Sequence, residues 1–506
     1  MRTRDDAALG ETSVSDANVG LDRTTVSVAG AMGSGGAAIS GAMQTTVLDG
    51  PAPAYLQVGG MFRRLEIRGL LGEGAMGQAY LASHVSLRVP VVIKLFRTST
   101  KDPLAEAHLA ARVASPWVVP VLDAGVEHGM PYVIQRYVDG IDFSELLAIH
   151  DAAQRAIPVA ALVRFAVQLF YGLAAVHVAG VVHRDIKPPN LFLAGTGDAL
   201  VGDLGIAVDP TGDHRAEVAG TPMFIAPELW NGDRATARSD LYSAGATLHL
   251  LWQRVPPFQG NTAMELARLH CDQPYEPVRS TDPVGAYFAA VLARLLSKSP
   301  SDRPESALGT ARMLERIATP PPEVRGQRPG AAQIGDITVE LEKRDITSAV
   351  TDVIVCAANE DAEMSTGVAA AVRRSGGESI YSELHAHGIQ TMGSVVWTKP
   401  GDLACKDIAH AVAAAKGAIC IQRAVLRVLF EAERRRHVSI TFPALGTGVG
   451  GVPHGLGSRL MLESIRTFAA FAPRHVRTIR IALPTAETLA TWTAGMVAMD
   501  SDAAHR

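Results

Sequence analysis

One run of polar residues constrains this chain more than anything else in it. After the apolar stretch Phe165–Val182 comes His183-Arg184-Asp185-Ile186-Lys187-Pro188-Pro189-Asn190. Asp203-Leu204-Gly205, Gly220-Thr221-Pro222 and Ala226-Pro227-Glu228 follow in that order. Upstream, Lys94 ends the apolar strand Val91-Val92-Ile93, where an ammonium group would be costly to bury unpaired. Glu106, within the helical run Leu104–Leu109, is available as its partner. Earlier still, Gly72, Gly74 and Gly77 interrupt two strand-like segments. Without Cβ atoms, a hairpin there lets its backbone approach a phosphate chain. A glycine hairpin alone is often only a turn; the ordered set is far more specific.

Read together, these motifs resemble the eukaryotic-like protein kinases, specifically the bacterial Ser/Thr branch, across nearly all of residues 60–316. The resemblance implies that Gly72, Gly74 and Gly77 cover the phosphates of ATP, and that Lys94, fixed by Glu106, holds the α- and β-phosphates. It assigns Asn190 and Asp203 to Mg2+ (or Mn2+), for which hard oxygen ligands are suited. Asp185 is implied to take or orient the substrate hydroxyl proton, and Lys187 to neutralise the transferring phosphate. Asp240 is expected to anchor the catalytic loop, and Glu228 to pair with Arg303. Lys187 together with Gly220-Thr221 is the Ser/Thr pattern rather than the tyrosine one. Leu204, Ala79 and Gln135 depart from common family residues without removing a phosphate or metal ligand. Thr221 is expected in the substrate-binding turn, which leaves Thr211 as the activation-loop switch, paired after autophosphorylation with Arg184.

The second half alternates apolar strands with helices, from Ile337-Thr338-Val339 to Thr478–Leu483, which argues for an α/β layered architecture. Two places stand out within it. One is Asp352–Glu360 leading to Thr366-Gly367-Val368-Ala369; the other is Phe442-Pro443-Ala444-Leu445-Gly446-Thr447-Gly448-Val449-Gly450-Gly451. A glycine-rich turn after a strand can line an anion site with backbone N–H groups. With Lys343-Arg344-Asp345-Ile346-Thr347, these segments look like the macrodomain family, over about 338–495. That resemblance implies ADP-ribose binding: Asp345 reads the adenine amino group with Ile346 beside it, and Asn359 faces the distal ribose. Gly446, Thr447, Gly448, Val449, Gly450 and Gly451 would wrap the diphosphate, helped by the backbone of Gly367 and Val368. Members that hydrolyse ADP-ribose often carry Asp where this chain has Ala369, so binding is favoured over hydrolysis.

Composition sets the limits. With Lys+Arg 47 against Asp+Glu 51, the net charge of -4 gives no overall basic footprint for nucleic acid and no polybasic membrane anchor. Cys271, Cys356, Cys405 and Cys420 form no C-x-x-C pair, which points away from a zinc ribbon or disulfide framework and towards a reducing compartment. No apolar run has the length and purity of a membrane span. The expected organisation is a disordered Ser/Thr/Gly/Ala-rich tail (1–57), an α+β bilobal kinase fold (58–318), a Pro/Gly linker (319–335), an α/β/α three-layer macrodomain (336–498) and a short C-terminal tail (499–506). The expected function is a cytoplasmic ATP-dependent protein Ser/Thr kinase. Its C-terminal module would bind ADP-ribose or ADP-ribosylated protein, either docking or regulating the kinase. Two rival readings are a pseudokinase scaffold with an ADP-ribose reader, and a kinase joined to an ADP-ribosyl hydrolase.

Overall fold

Tyr80-Leu81-Ala82 and Val91-Val92-Ile93 suit a pleated, half-buried surface, and the first block opens on six antiparallel strands. These are β1 (Met61–Phe62), β2 (Leu65–Gly74), β3 (Gly77–His84), β4 (Pro90–Phe96), β5 (Val121–Glu127) and β6 (Met130–Arg136), in the order β1-β2-β3-β4-β6-β5. Ile67, Tyr80, Ile93 and Tyr132 close one face of this sheet. The computed structural model describes residues 56–74, 77–87, 89–96, 110–204, 222–415 and 418–503. The expected tail before Leu56, Glu106, Thr211 and Thr221 lie outside the described residues.

A second, mainly helical lobe follows. A small antiparallel sheet, β7 (Gly140–Asp142), β8 (Leu191–Ala194) and β9 (Ala199–Val201), carries the polar run identified above at its edge. The helices are α1 (Phe143–Ala152), α2 (Val159–Val178), α3 (Pro227–Trp230), α4 (Ala237–Gln253), α5 (Ala263–Asp272), α6 (Pro283–Leu295) and α7 (Ala307–Glu315). By length and composition α2 could cross a membrane, but more than half of it is buried inside the protein. Its Leu162, Phe165, Leu169, Phe170 and Leu173 are central to the lobe's core.

The second block is a mixed eight-stranded sheet. Its strands are β10 (Val324–Arg328), β11 (Ala331–Ile334), β12 (Ile337–Lys343), β13 (Val353–Ala358), β14 (Val395–Thr398), β15 (Asp407–Val412), β18 (Ser439–Pro443) and β19 (Thr478–Leu483). The order is β10-β11-β12-β19-β18-β13-β15-β14, parallel from β12 to β15. A short hairpin, β16 (Ala414–Ala415) with β17 (Ala418–Ile419), follows β15. Alternation along β13 explains the layers. Val353 and Val355 belong to one core, with helices α10 (Ile421–Arg434) and α11 (His454–Ala469). Ile354 and Cys356 belong to the other, with α8 (Gly367–Gly376) and α9 (Glu378–His385). A final helix, α12 (Ala486–Ala503), packs on α11.

Two boundaries differ from those expected. Residues 324–334 are the edge hairpin β10–β11, so the sheet begins inside the expected linker. Val324, Ala332 and Ile334 are buried while Arg325–Arg328 face water, and that polar edge disguises the strand. The expected C-terminal tail is likewise helical as far as Ala503.

The two blocks share a continuous apolar core and a polar seam. Cys420, at the start of α10, offers no side-chain cap. Asp139 of the first block takes that place, accepting from the backbone N–H of Gln422 (3.0 Å) and Arg423 (2.8 Å). Arg423 donates to the Gly140 carbonyl at 2.7 Å, and Arg427 grips Glu145 through two bonds of 2.5 and 2.9 Å. Burial pushes the Asp139 carboxyl up to about 6, opposed by the two N–H bonds and by Arg423. At Gly195 the approach is so close that a Cβ would fall 2.2 Å from the Gln422 side chain. Leu81 and Val92 of the first sheet, with Tyr137, meet Ala358, Met392, Val412 and Cys420 of the second block. The second block therefore touches both lobes of the first and the segment joining them.

Candidate functional site

Buried Asp240 organises the cleft between the two lobes. Its carboxylate accepts from the backbone N–H groups of His183 (2.8 Å) and Arg184 (2.9 Å), and it contacts His177 Nε2 at 2.8 Å. These bonds hold Arg184 in the left-handed region, φ 67°, and so set the direction in which Asp185 leaves the chain. His183, fully buried, reaches the Gly202 carbonyl with Nε2 at 2.8 Å, and Gly202 N–H donates to the Asn190 carbonyl at 2.9 Å. Both bonds place Asp203, also at positive φ (55°), beside the 183–190 loop.

The expected residues converge here. Lys187 Nζ stands 2.9 Å from Asp185 Oδ2. Asn190 Nδ2 donates to the Asp185 carbonyl (2.7 Å) and to its Oδ2 (2.9 Å), which leaves the Asn190 side-chain oxygen for a metal. Lys94 crosses from the other lobe and pairs with Asp203. The oxygen donors of Asn190 and Asp203 fit a hard divalent cation. At the mouth, Gly72 and Gly74 have open space where a Cβ would be, whereas Gly77 is packed so tightly that a Cβ would lie 1.8 Å from the Leu95 carbonyl oxygen. The expected Glu228–Arg303 pair is bidentate, 2.7 Å on each arm, and buried. Burial alone would raise the Glu228 carboxyl; the Arg303 bonds outweigh it and hold the group below its ordinary range.

The second block offers a backbone site at the carboxyl ends of its parallel strands. Between β18 and α11, Gly446 (φ 75°) and Gly451 (φ 66°) turn the chain. Val452 N–H closes the loop onto the Gly446 carbonyl at 3.0 Å, and Gly451 N–H onto Gly448 at 3.0 Å. Thr447 is spent on the Ala444 carbonyl, and Val449 projects into solvent. Gly367, at φ 56°, begins α8 with nothing packed where its Cβ would be, and Val368 follows it. Asp345 caps its own turn, accepting from Thr347 N and Oγ1 at 2.9 Å each. Ile346, expected beside adenine, packs instead into the core with Ala349 and Ile354. Asn359 accepts from Glu363 N–H at 2.9 Å, so its side-chain oxygen shapes its own loop and only its Nδ2 stays available for a sugar.

Comparison with known proteins matches both regions. The model for "Protein kinase domain" aligns with residues 65–313, and that for "Macro domain" with 355–461. The chain carries a protein kinase domain and a macro domain. Over 262 residues it is 32% identical to serine/threonine-protein kinase PknH of Mycobacterium bovis, covering 50% of this chain and 43% of that protein. Over 280 residues it is 31% identical to serine/threonine-protein kinase PknB of Mycobacterium tuberculosis, covering 51% and 44%. It thus spans less than half the length of these relatives. The crystal structure of the Mycobacterium tuberculosis PknI kinase domain matches with 26% identity, 52% of this chain, 100% of that one and a TM-score of 0.40.

Sequence reasoning missed three features of this kinase–macro pair. His183 and His177 link the catalytic loop to Gly202 and Asp240, and their place beside the polar run was the available signal. Asp139, Glu145, Arg423 and Arg427 form the seam between the domains; nothing local to either segment announces that partnership. Cys356 lies fully buried with its thiol pushed up to about 12 by burial, which makes it a core residue.

Proposed function

We propose that this chain is an ATP-dependent protein Ser/Thr kinase of the cytoplasm, regulated through a macro domain that binds ADP-ribose or ADP-ribosylated protein. The observation that carries the kinase reading is the convergence of Lys94, Asp185, Lys187, Asn190 and Asp203 in one cleft. Asp185, oriented by Asn190 and by the Asp240-anchored loop, would accept the proton of a substrate Ser or Thr hydroxyl. Lys187 would stabilise charge on the transferred phosphoryl group, and Lys94 would place the α- and β-phosphates beneath Gly72 and Gly74. A Mg2+ or Mn2+ ion held by Asn190 and Asp203 would supply neutralisation of the phosphate oxygens. Every catalytic polar group expected among the described residues is present in the cleft, which argues against the pseudokinase reading. Thr211, with Arg184 as partner, is proposed as the autophosphorylated switch; unchanged activity and phosphate incorporation in Thr211→Ala would contradict it.

The macro domain's exposed 446–451 turn suits a diphosphate. Buried Ala369, at the position where hydrolysing members carry an acid, favours binding over cleavage. Ala358, directly before Asn359, lies in the cluster that includes Tyr137 of the kinase, which gives the cleft a route to the lobe connection. Two experiments test the reading. Phosphate transfer from ATP to a generic Ser/Thr protein substrate should be present in the wild type and absent in Asp185→Asn. Calorimetric titration of the full chain with ADP-ribose should show one-to-one binding; no heat and no competition would remove the macro-domain half of the proposal.

A further inference from the structure

At the domain seam lies a cavity of about 270 Å3, lined by residues of both domains. Arg164 from α2 enters it from the kinase domain, and Arg466 from α11 enters it from the macro domain. Trp117, Gln168, Thr196, Asp198 and Thr467 complete the polar part of the wall. Arg466 is oriented by its Nε, which donates to the Pro322 carbonyl at 2.9 Å. Arg164 has no hydrogen-bond or ion-pair partner among the described residues, although it is partly buried. Burial, and then Arg466, lower the affinity of this guanidinium for its proton. The acid in the wall does not relieve it. Asp198 already accepts from Gln168 Nε2 at 3.1 Å and Thr196 Oγ1 at 2.8 Å, and it pairs with neither arginine.

Two like charges driven together at a domain seam, one of them unpaired, cost free energy that the fold has no visible reason to bear. We infer that this cavity is an anion site for a phosphate group, bound by one arginine from each domain. A phosphate carries roughly −1.5 to −2 at neutral pH, enough to compensate Arg164 and still accept from the Arg466 guanidinium beside it. Its oxygens also match the planar donor fork of arginine. Because the domains contribute one arginine each, the anion joins them across the seam, independently of the ATP and ADP-ribose clefts.

The test follows the thermal midpoint of the full chain in potassium phosphate and in potassium chloride of equal ionic strength. Phosphate should raise the midpoint by about 2–4 °C. Arg164→Gln and Arg466→Gln should each abolish that rise, while Lys94→Ala and Gly451→Ala, which damage the two nucleotide clefts, should keep it. In chloride, Arg164→Gln should melt at or above the wild-type midpoint, because it removes an uncompensated charge. An arginine with a purely structural role would melt lower. Phosphothreonine as an alternative probe identifies the source: a larger rise than with inorganic phosphate assigns the site to a phosphorylated side chain, a smaller one to the free anion. No rise with either probe, or a rise that survives both arginine substitutions, overturns the inference.

Discussion

The two clefts of this chain are built from different materials. In the kinase domain, side chains do the work: Lys94, Asp185, Lys187, Asn190 and Asp203 reach one another from separate elements, and Asp240 and His183 fix the loop beneath them. In the macro domain the backbone does most of it. Gly446, Gly451 and Gly367 adopt positive φ, while Asp345 and Asn359 spend oxygens on their own turns. A side-chain site fails abruptly when one functional group is lost. A backbone site fails through conformation, and its failure leaves the neighbouring chemistry intact.

Substitutions sharpen that contrast. Asp185→Asn should lower phosphoryl transfer by about 10²–10⁴-fold, the range for losing a general base. Its melting curve and ADP-ribose affinity should match the wild type; retained activity would break the side-chain account. Next in size, Arg303→Ala strands the buried Glu228 carboxylate. Chemical denaturation should report a loss of about 3–5 kcal/mol. Gly451→Ala forces a Cβ into the left-handed region, at a cost of about 1–2 kcal/mol. Calorimetry should find ADP-ribose bound about tenfold more weakly, with phosphoryl transfer in the absence of ADP-ribose unchanged. If Gly451→Ala binds ADP-ribose normally, the macro cleft does not depend on its backbone shape.

Acid gives a smaller, graded difference. In the kinase domain, burial is the main force holding His150, His249 and His270 down at about 4, and in the macro domain it holds His410 at about 3. A histidine whose folded value is depressed stabilises fully above its unfolded value near 6.5, and that contribution is lost as pH falls from there towards 4. Three such rings against one predict that the kinase domain loses protection first between pH 6.5 and 4. Hydrogen exchange resolved by segment reads this directly. His150 also packs on Phe430 and Phe471 of the macro domain, so the seam should loosen in the same window. Asp139 works in the opposite sense. With its folded value raised, its share of stability is greatest below about 4 and is lost as pH rises towards 6.

The same contrast explains what the sequence disclosed. The residues of the kinase-domain cleft were legible because the proposed phosphoryl transfer needs particular functional groups in a fixed order. The macro glycines were legible as a run, but not the diversion of Asn359 to Glu363 or the burial of Ile346, since both depend on how a loop closes. The β10–β11 hairpin was hidden because its outer strand shows water four consecutive polar or glycine residues, Arg325–Arg328, and reads as linker. The seam was invisible for a different reason. Asp139 and the α10 amides it caps lie 283 and 284 residues apart, and neither segment needs the other to form its local structure.

The most direct measurement is the affinity for ATP–Mg2+ with and without saturating ADP-ribose, in the full chain and in Glu145→Ala, which removes the carboxylate that accepts from Arg427 (2.5 and 2.9 Å) and from Arg423 (3.2 Å). A macro domain seated on the lobe connection should change ATP affinity by about fivefold or more, and ATP should change ADP-ribose affinity by the same factor. Glu145→Ala should shrink both factors together while each ligand still binds. ATP affinity indifferent to a demonstrably bound ADP-ribose would contradict regulation through the seam.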